Sequence, residues 1–136
     1  MDGTIGVISD GAGTGMLTLD LIQDAGGRPA NFCEMGGLSN AETMRMAMET
    51  VLADPRASVL LISLIGGMTR MDDMAEGIIQ YLEANRLTVP IVVRMCGTQE
   101  EIGLARLRSA GISAMDNLEQ AATHAVALSG SSGWQS

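Results

Sequence analysis

Short apolar runs alternate along the chain with longer stretches in which apolar residues recur every three or four positions. The short runs have the pattern of buried strands, and the longer stretches have the pattern of helices with one apolar face. Strands are predicted at residues 4–9, 30–35, 58–65, 90–95 and 112–115, and helices at 14–25, 41–53, from the Gly66-Gly67 pair to 85, 99–109 and 118–128. Five strands therefore alternate with five helices.

The third run is the best candidate for the middle of a sheet, because every residue from 59 to 65 except Ser63 is apolar. Strict alternation of strands and helices requires right-handed crossovers and a parallel sheet. We therefore expect an α/β fold of the flavodoxin-like, three-layer kind, with a five-stranded parallel sheet in the order 2-1-3-4-5. One domain is expected over residues 1–128, followed by a Gly- and Ser-rich flexible tail at 129–136.

Charge and composition exclude several classes of function. The formal net charge is −8, and all eight cationic residues are arginines. Without lysine, the chain has no Schiff-base former, no Walker-A lysine and no ATP-grasp phosphate clamp. An acidic chain that lacks a basic stripe with interleaved aromatic residues is not expected to bind nucleic acid.

The apolar runs are too short to span a membrane, and the N-terminus has no secretory pattern, so we expect no membrane association and a cytoplasmic location. The two cysteines, Cys33 and Cys96, are expected to be free thiols, since each ends a predicted strand and two cysteines give no metal-ligand spacing.

Candidate chemistry lies in the glycine-rich turns after the first and third strands, because ligands of open parallel sheets bind where the strand order reverses. One turn starts at Asp10 and the other contains Gly66 and Gly67. Bare backbone amides at a helix start favour an anion, and Arg70 would add a forked cation if it points inward. The alternative interpretation is that these glycines only form tight turns.

A collinear set of motifs resembles the C-terminal domain of the β subunit of succinyl-CoA synthetase over about residues 3–127. The motifs are Asp10-Gly11-Ala12-Gly13, residues 27–32, Gly36-Gly37, residues 65–72, Gly77-Ile78-Ile79, residues 89–94, and Gly97 followed by Glu101-Ile102-Gly103.

The resemblance implies an acyl-CoA synthetase of the succinyl-CoA ligase type, an acid-thiol ligase of which this chain is only one part. In that family an ATP-grasp domain phosphorylates a histidine on a CoA-binding α-type subunit, the phosphate passes to a small carboxylic acid, and CoA then displaces it. CoA, and ATP or GTP with magnesium, are expected on those partners and not on this domain.

By the same resemblance, Gly67, Met68 and Thr69 match the family's substrate-contacting backbone triplet, and Asp10 stands where the family commonly has a substrate-contacting Asn. Gly66, Gly67 and Met68, with Arg70, are the expected phosphate-binding residues. The resemblance assigns no catalytic side chain and no metal ligand to this chain.

Three departures from the family pattern suggest a related carboxylate:CoA ligase or one that has drifted from catalysis. A carboxylate at Asp10 would repel an incoming carboxylate unless a proton or an arginine intervenes, which puts succinate itself in doubt. Leu38 replaces a commonly seen glycine, and the turn at residues 95–98 replaces a usual acidic and Asn-containing one.

Several residues that could be mistaken for site residues have simpler interpretations. His124, the only histidine, belongs to the last predicted helix and is expected to be a surface or packing residue. The stripe of Met68, Met71, Met74 and Ile78 is expected to be core or interface. Asp72 and Asp73 are favourable charges at a helix start, and Ser9 and Ser63 lack a histidine base. Neither a metal site at Asp72 and Asp73 nor a hydrolase triad at Ser9 or Ser63 is therefore expected.

A function from a different class also fits the fold, namely a non-catalytic flavodoxin-like binding or regulatory module. A phosphoacceptor receiver would need an Asp after strand three and a Lys after strand five, and both are missing. A flavin protein usually stacks the ring on aromatic residues, whereas this chain has one Phe, one Tyr and one Trp.

Overall fold

The computed structural model describes residues 3–36, 40–66, 70–85 and 89–134. The predicted α/β architecture is confirmed: a parallel five-stranded sheet has the order β2-β1-β3-β4-β5. The strands are Ile5–Ser9 (β1), Pro29–Glu34 (β2), Val59–Gly66 (β3), Ile91–Gly97 (β4) and Ser113–Met115 (β5). The helices are Ala12–Asp24 (α1), Ala41–Leu52 (α2), Met71–Ala84 (α3), Glu100–Ser109 (α4) and Leu118–Trp134 (α5).

The helices cover both faces of the sheet. Helices α2, α3 and α4 pack on one face around a core that includes Met44, Ile62 and Met71, and α1 and α5 pack on the other around Val7 and Leu61. The first six residues of β3 are buried, as expected of a central strand whose two faces are both covered.

The helices beside the central strand approach each other closely through glycines. A Cβ on Gly77 of α3 would lie 2.7 Å from the carbonyl oxygen of Ala41 in α2, and one on Gly103 of α4 would lie 2.8 Å from that of Met71 in α3. Any larger residue would force the helices apart. The start of α3 is therefore held tightly between its neighbours.

Two predicted helix boundaries are wrong. The third helix does not open at Gly66, which is still the last residue of β3 and pairs with Gly97 of β4; in the described part of the chain α3 begins at Met71, and Gly67 lies outside the described residues. The last helix does not end at residue 128 but continues to Trp134. No proline interrupts it, and the Ser129 hydroxyl bonds to the carbonyl of Val126 within the helix itself.

The limits of the domain, residues 1–128, and the flexibility of the segment after it stay predictions. Over the residues that the structure describes, none of the helices is long and apolar enough to cross a membrane.

Candidate functional site

The carboxyl ends of β1 and β3 lie side by side, because these neighbouring strands pair from Ile5 with Val59 up to Ser9 with Ser63. In the sheet, β1 has β2 on one side and β3 on the other, so the strand order reverses between β1 and β3. This is the position at which open parallel sheets bind ligands. Both glycine-rich turns therefore start at the same edge of the sheet.

Asp10 joins the two strand ends. Asp10 is buried, with only 4% of the residue exposed. The backbone amide of Ile65 donates to its two carboxylate oxygens, Oδ2 at 3.0 Å and Oδ1 at 3.3 Å. Burial raises the pKa of this carboxyl, while the Ile65 amide and the charge of Arg94 oppose the rise. The sequence-based argument left open a proton or an arginine near Asp10, and the charge of Arg94 of β4 acts on this carboxyl in the expected direction.

Gly66 ends β3 directly after this contact, and Gly67, Met68 and Thr69 lie outside the described residues. The residues on both sides of that triplet bond to the same neighbour. The Thr98 amide donates to the Gly66 carbonyl oxygen at 3.3 Å, and the Met71 amide donates to the Thr98 carbonyl oxygen at 2.8 Å. The backbone of Thr98 thus bridges the two ends of the segment.

Gly97 allows this bridge to form. Its φ of +134° lies in a region that side-chain-bearing residues rarely adopt, and a Cβ there would overlap the carbonyl oxygen of Gly66. The Gly97 amide donates to Oε1 of Glu100 in α4 at 2.9 Å. The turn after β4 is therefore fixed against the end of β3.

Two backbone amides in the first turn of α3 already donate hydrogen bonds. The Met71 amide is bonded to Thr98, and the Asp73 amide donates to Oδ1 of Asp72 at 3.0 Å. The Arg70 guanidinium forms two bonds with Asp72, at 2.8 and 3.1 Å, and these lower the pKa of that carboxyl. The structure thus places Arg70 on Asp72, in an exposed pair. Its role in phosphate binding stays a prediction.

The first turn of α1 is different. Its N-cap residue, Gly11, supplies no side-chain cap, and the turn contains no acidic residue. Ser9 closes the turn by donating from its hydroxyl to the Gly11 carbonyl at 2.6 Å and accepting from the Gly11 amide at 3.1 Å. A Cβ on Gly11 or Gly13 would meet nothing within 4 Å. This turn is open, and the first turn of α1 itself adds no acidic side chain to the helix dipole; the nearest carboxylate is Asp10, directly before the N-cap.

Sequence reasoning missed Gly97, Thr98 and Arg94 as neighbours of the site. They come from β4 and the turn after it, far along the chain from Asp10, so only the strand order brings them here. The one available signal was Gly97 after the fourth predicted strand, which entered the argument only as a turn residue and through the family resemblance.

The remaining candidates lie where the simpler interpretations put them. His124 is half-buried in α5, with Nε2 3.3 Å from the Ser113 hydroxyl. Met71, Met74 and Ile78 are fully buried core residues, whereas Met68 lies outside the described residues. Cys33 and Cys96 are free thiols, and burial raises the pKa of each.

The protein-family comparison decides the assignment, because the model described as CoA-ligase matches residues 8–128. The chain belongs to the CoA-ligase family. Among curated relatives of this CoA-ligase domain, the β subunits of ADP-forming succinate–CoA ligase from Gemmatimonas aurantiaca and Pyrobaculum calidifontis are 44% and 46% identical to it. Each alignment covers 94% of the chain but 34% of the relative, so the chain spans about a third of their length.

Solved structures share the fold. PH0766 from Pyrococcus horikoshii OT3 superposes with a TM-score of 0.82 at 20% identity, covering 93% of this chain and 35% of that one. The ATP citrate lyase from Methanothrix soehngenii, solved with citrate and coenzyme A, superposes with a TM-score of 0.72 at 26% identity, covering 94% and 36%. In both, the matched part is about a third of a larger protein.

Proposed function

We propose that this CoA-ligase domain is the carboxylate-binding and phosphate-transfer module of an acyl-CoA synthetase of the succinyl-CoA ligase type. It acts with an ATP-grasp domain and with a CoA-binding subunit that carries a phosphohistidine. The substrate acid takes the phosphoryl group from that histidine to give an acyl phosphate, and the CoA thiol then displaces phosphate to give the thioester. This domain supplies backbone donors to these steps and no catalytic side chain.

The observation that carries the proposal is the position of Gly66 and Arg70, the described residues on either side of 67–69. Gly66 ends the central strand beside the point where the strand order reverses, and Arg70 precedes α3. Gly67, Met68 and Thr69 are also the residues that match the family's substrate-contacting triplet. Preorganised backbone donors suit this reaction, since acyl phosphate and phosphohistidine are anionic and amides do not themselves react.

The start of α3 contributes less to this role than its sequence suggests. Its first amide is bonded to Thr98, and Asp72 and Asp73 occupy its first turn. Anion binding at this edge is therefore assigned to the backbone before the helix and not to the helix dipole. Arg70 would join it only after exchanging its bonds to Asp72 for bonds to a phosphate.

The substrate is a small carboxylic acid, and Asp10 restricts which one. The buried carboxylate adds negative charge at the mouth of β1 and β3, so it disfavours an acid that would bring a second carboxylate there. Arg94 offsets part of this charge. We expect monocarboxylic acids to be used in preference to dicarboxylic acids of similar size.

Co-expression with an ATP-grasp chain and a CoA-binding α-type chain of the same enzyme family tests the proposal. We expect the chains to co-purify and to form an acyl-CoA from a small acid, CoA and ATP or GTP with magnesium. Chains that stay separate, and a mixture that forms no thioester from a panel of mono- and dicarboxylic acids, would refute it. A flavin absorbance band in the purified chain would instead support the binding-module alternative.

A further inference from the structure

Asp10 shares one hydrogen-bond donor between its two carboxylate oxygens, and the inference drawn from this rests on the proposed function. Among the described residues, both hydrogen bonds to this carboxyl come from the Ile65 amide, which lies 3.0 Å from Oδ2 and 3.3 Å from Oδ1. Only 4% of the residue is exposed, so water solvates little of a charge placed there. An ionised carboxylate has about four acceptor positions, and most of them lack a donor here.

Arg94 does not neutralise Asp10 by pairing with it. The Nε of Arg94 donates instead to the carbonyl oxygen of Asp116 at 3.1 Å, and within the described part of the chain Asp10 and Arg94 form no ion pair. Burial raises the pKa of Asp10, and the Ile65 amide and, more weakly, the charge of Arg94 oppose the rise without cancelling it. Of the two ways to relieve the charge of Asp10, a proton and an arginine, the geometry therefore favours the proton.

The other titratable and charged groups at this edge of the sheet are mostly acidic. In the described elements around Asp10 they are Cys33 and Glu34 of β2, Glu42 of α2, Arg70, Asp72 and Asp73 at the start of α3, Arg94 of β4 and Glu119 of α5. The first turn of α1 adds no acidic residue, and the guanidinium of Arg70 is bonded to Asp72. A substrate carboxylate therefore meets an acidic edge, and an ionised Asp10 would add to the repulsion.

We propose that the substrate acid binds together with one proton, which Asp10 holds as a neutral carboxyl group. The proton comes from solvent and lies on Oδ1, the oxygen farther from the Ile65 nitrogen, while Oδ2 keeps the bond from the amide. A neutral carboxyl has one O–H donor, and this donor bonds to the carboxylate of the acid. A repelling charge thus becomes a donor, and the proton returns to solvent when the site empties.

Calorimetry of the assembled enzyme counts this proton, with acetate, propionate and butyrate as probes. Titrations at about pH 7.5, where these acids are fully ionised, are repeated in buffers of different ionisation enthalpy. We expect about one proton more per bound acid with the unaltered chain than with Asp10→Asn, whose amide donates without taking up a proton. Asp20→Asn removes an exposed carboxylate of α1 and is the control, with the uptake of the unaltered chain. Equal uptake in the unaltered chain and Asp10→Asn would overturn the proposal.

The pH dependence of KM checks the same linkage by a second route. Because the proton binds with the acid, KM for the acid should rise about tenfold for each pH unit above the folded-state pKa of Asp10, and this rise should be absent in Asp10→Asn. A purely structural role of Asp10 would leave the two pH profiles parallel and would contradict the proposal. Acid that binds without turnover would count against the proposed function alone, since the proton count still applies. An assembly that binds none of the three acids would refute both.

Discussion

The turns after β1 and β3 leave the same edge of the sheet from neighbouring strands, yet they use their polar groups in opposite ways. Only Asp10 and Gly11 separate β1 from α1, and α1 starts with neither a side-chain cap nor an acidic residue. Four residues separate β3 from α3, and α3 starts with its first amide bonded to Thr98 and two carboxylates in its first turn.

This difference shows that a glycine pair at a strand end does not by itself make a helix dipole available to an anion. The first turn of α1 contains no acidic residue, whereas that of α3 contains two, although the residues that match the family's substrate-contacting triplet come before α3. The longer turn instead has fixed ends, through Thr98 and Asp10, with three residues between them. Fixed ends favour recognition by the loop backbone, and the following predictions test that contrast in order of expected effect.

The largest effect on stability is expected from Asp10, which joins the two turns. Asp10→Ala should lower the free energy of unfolding by about 1–3 kcal/mol, because the Ile65 amide loses its acceptor away from water. Asp10→Asn keeps an acceptor and should lower it by less than about 1 kcal/mol. Urea unfolding followed by circular dichroism measures both. An alanine variant as stable as the unaltered chain would mean that the buried charge costs as much as the hydrogen bond contributes.

A smaller effect distinguishes Ser9 from Ser63, which are register partners and are both fully buried. The Ser9 hydroxyl bonds to Gly11, whereas the Ser63 hydroxyl has no partner among the described residues. Ser9→Ala should therefore cost about 1 kcal/mol, and Ser63→Ala should be neutral or stabilising by up to about 1 kcal/mol. The same urea measurement applies, and an equal loss in both variants would show that the Ser63 hydroxyl is satisfied.

The contributions of Asp10 and Asp72 to the free energy of unfolding should change with pH in opposite directions. Burial raises the pKa of Asp10 above its ordinary 3.8, so its contribution to stability is full below that value and is lost as pH rises through the folded-state pKa. The bonds from Arg70 lower the pKa of Asp72, so its contribution is present above 3.8 and is lost as pH falls through the folded-state pKa.

Unfolding measured across a pH series for the unaltered chain, Asp10→Asn and Asp72→Asn checks this difference. The stability of the unaltered chain relative to Asp10→Asn should fall as pH rises, and relative to Asp72→Asn it should fall as pH decreases. Two differences that change in the same direction would contradict the assignment of the two carboxyl environments.

The smallest stability effect is expected for Arg70, whose pair with Asp72 is exposed. Arg70→Ala should change the free energy of unfolding by less than about 0.5 kcal/mol. If the guanidinium also meets phosphate, the same variant should reduce kcat/KM for the acid severalfold. Arg56, which pairs with Asp54 at the opposite end of β3, is the matched control, and Arg56→Ala should leave kcat/KM unchanged. Equal kinetics in both variants would remove Arg70 from the site.

The alternation of apolar runs and amphipathic stretches was enough to predict the sheet order, because parallel strands joined by right-handed helical crossovers leave few topologies. The identity of the neighbours at the site could not be predicted in this way. Asp10 meets Ile65 only because β1 pairs with β3, and Thr98 meets Met71 only because β4 lies beside β3.

The start of α3 shows the same limit. Two consecutive glycines before an amphipathic stretch are typical of a strand-to-helix turn, so the helix was expected to open there. Gly66 instead remains in the strand, since its partner Gly97 leaves room for it and Thr98 bonds to its carbonyl. A local pattern carries no information about a partner on another strand.

Turnover of the assembled enzyme with leucine at Gly67 tests the central claim most directly. Gly13→Leu is the control, since Gly13 lies in the open turn of α1, where a Cβ meets nothing within 4 Å. We expect Gly67→Leu to lower kcat by about 100-fold or more with an unchanged circular dichroism spectrum, because the added side chain keeps the reacting groups away from the backbone amides; a loss of this size is typical when one donor to a reacting oxyanion is lost. Gly13→Leu should keep most of its turnover. Full activity in Gly67→Leu would contradict the assignment of the site to the turn after β3.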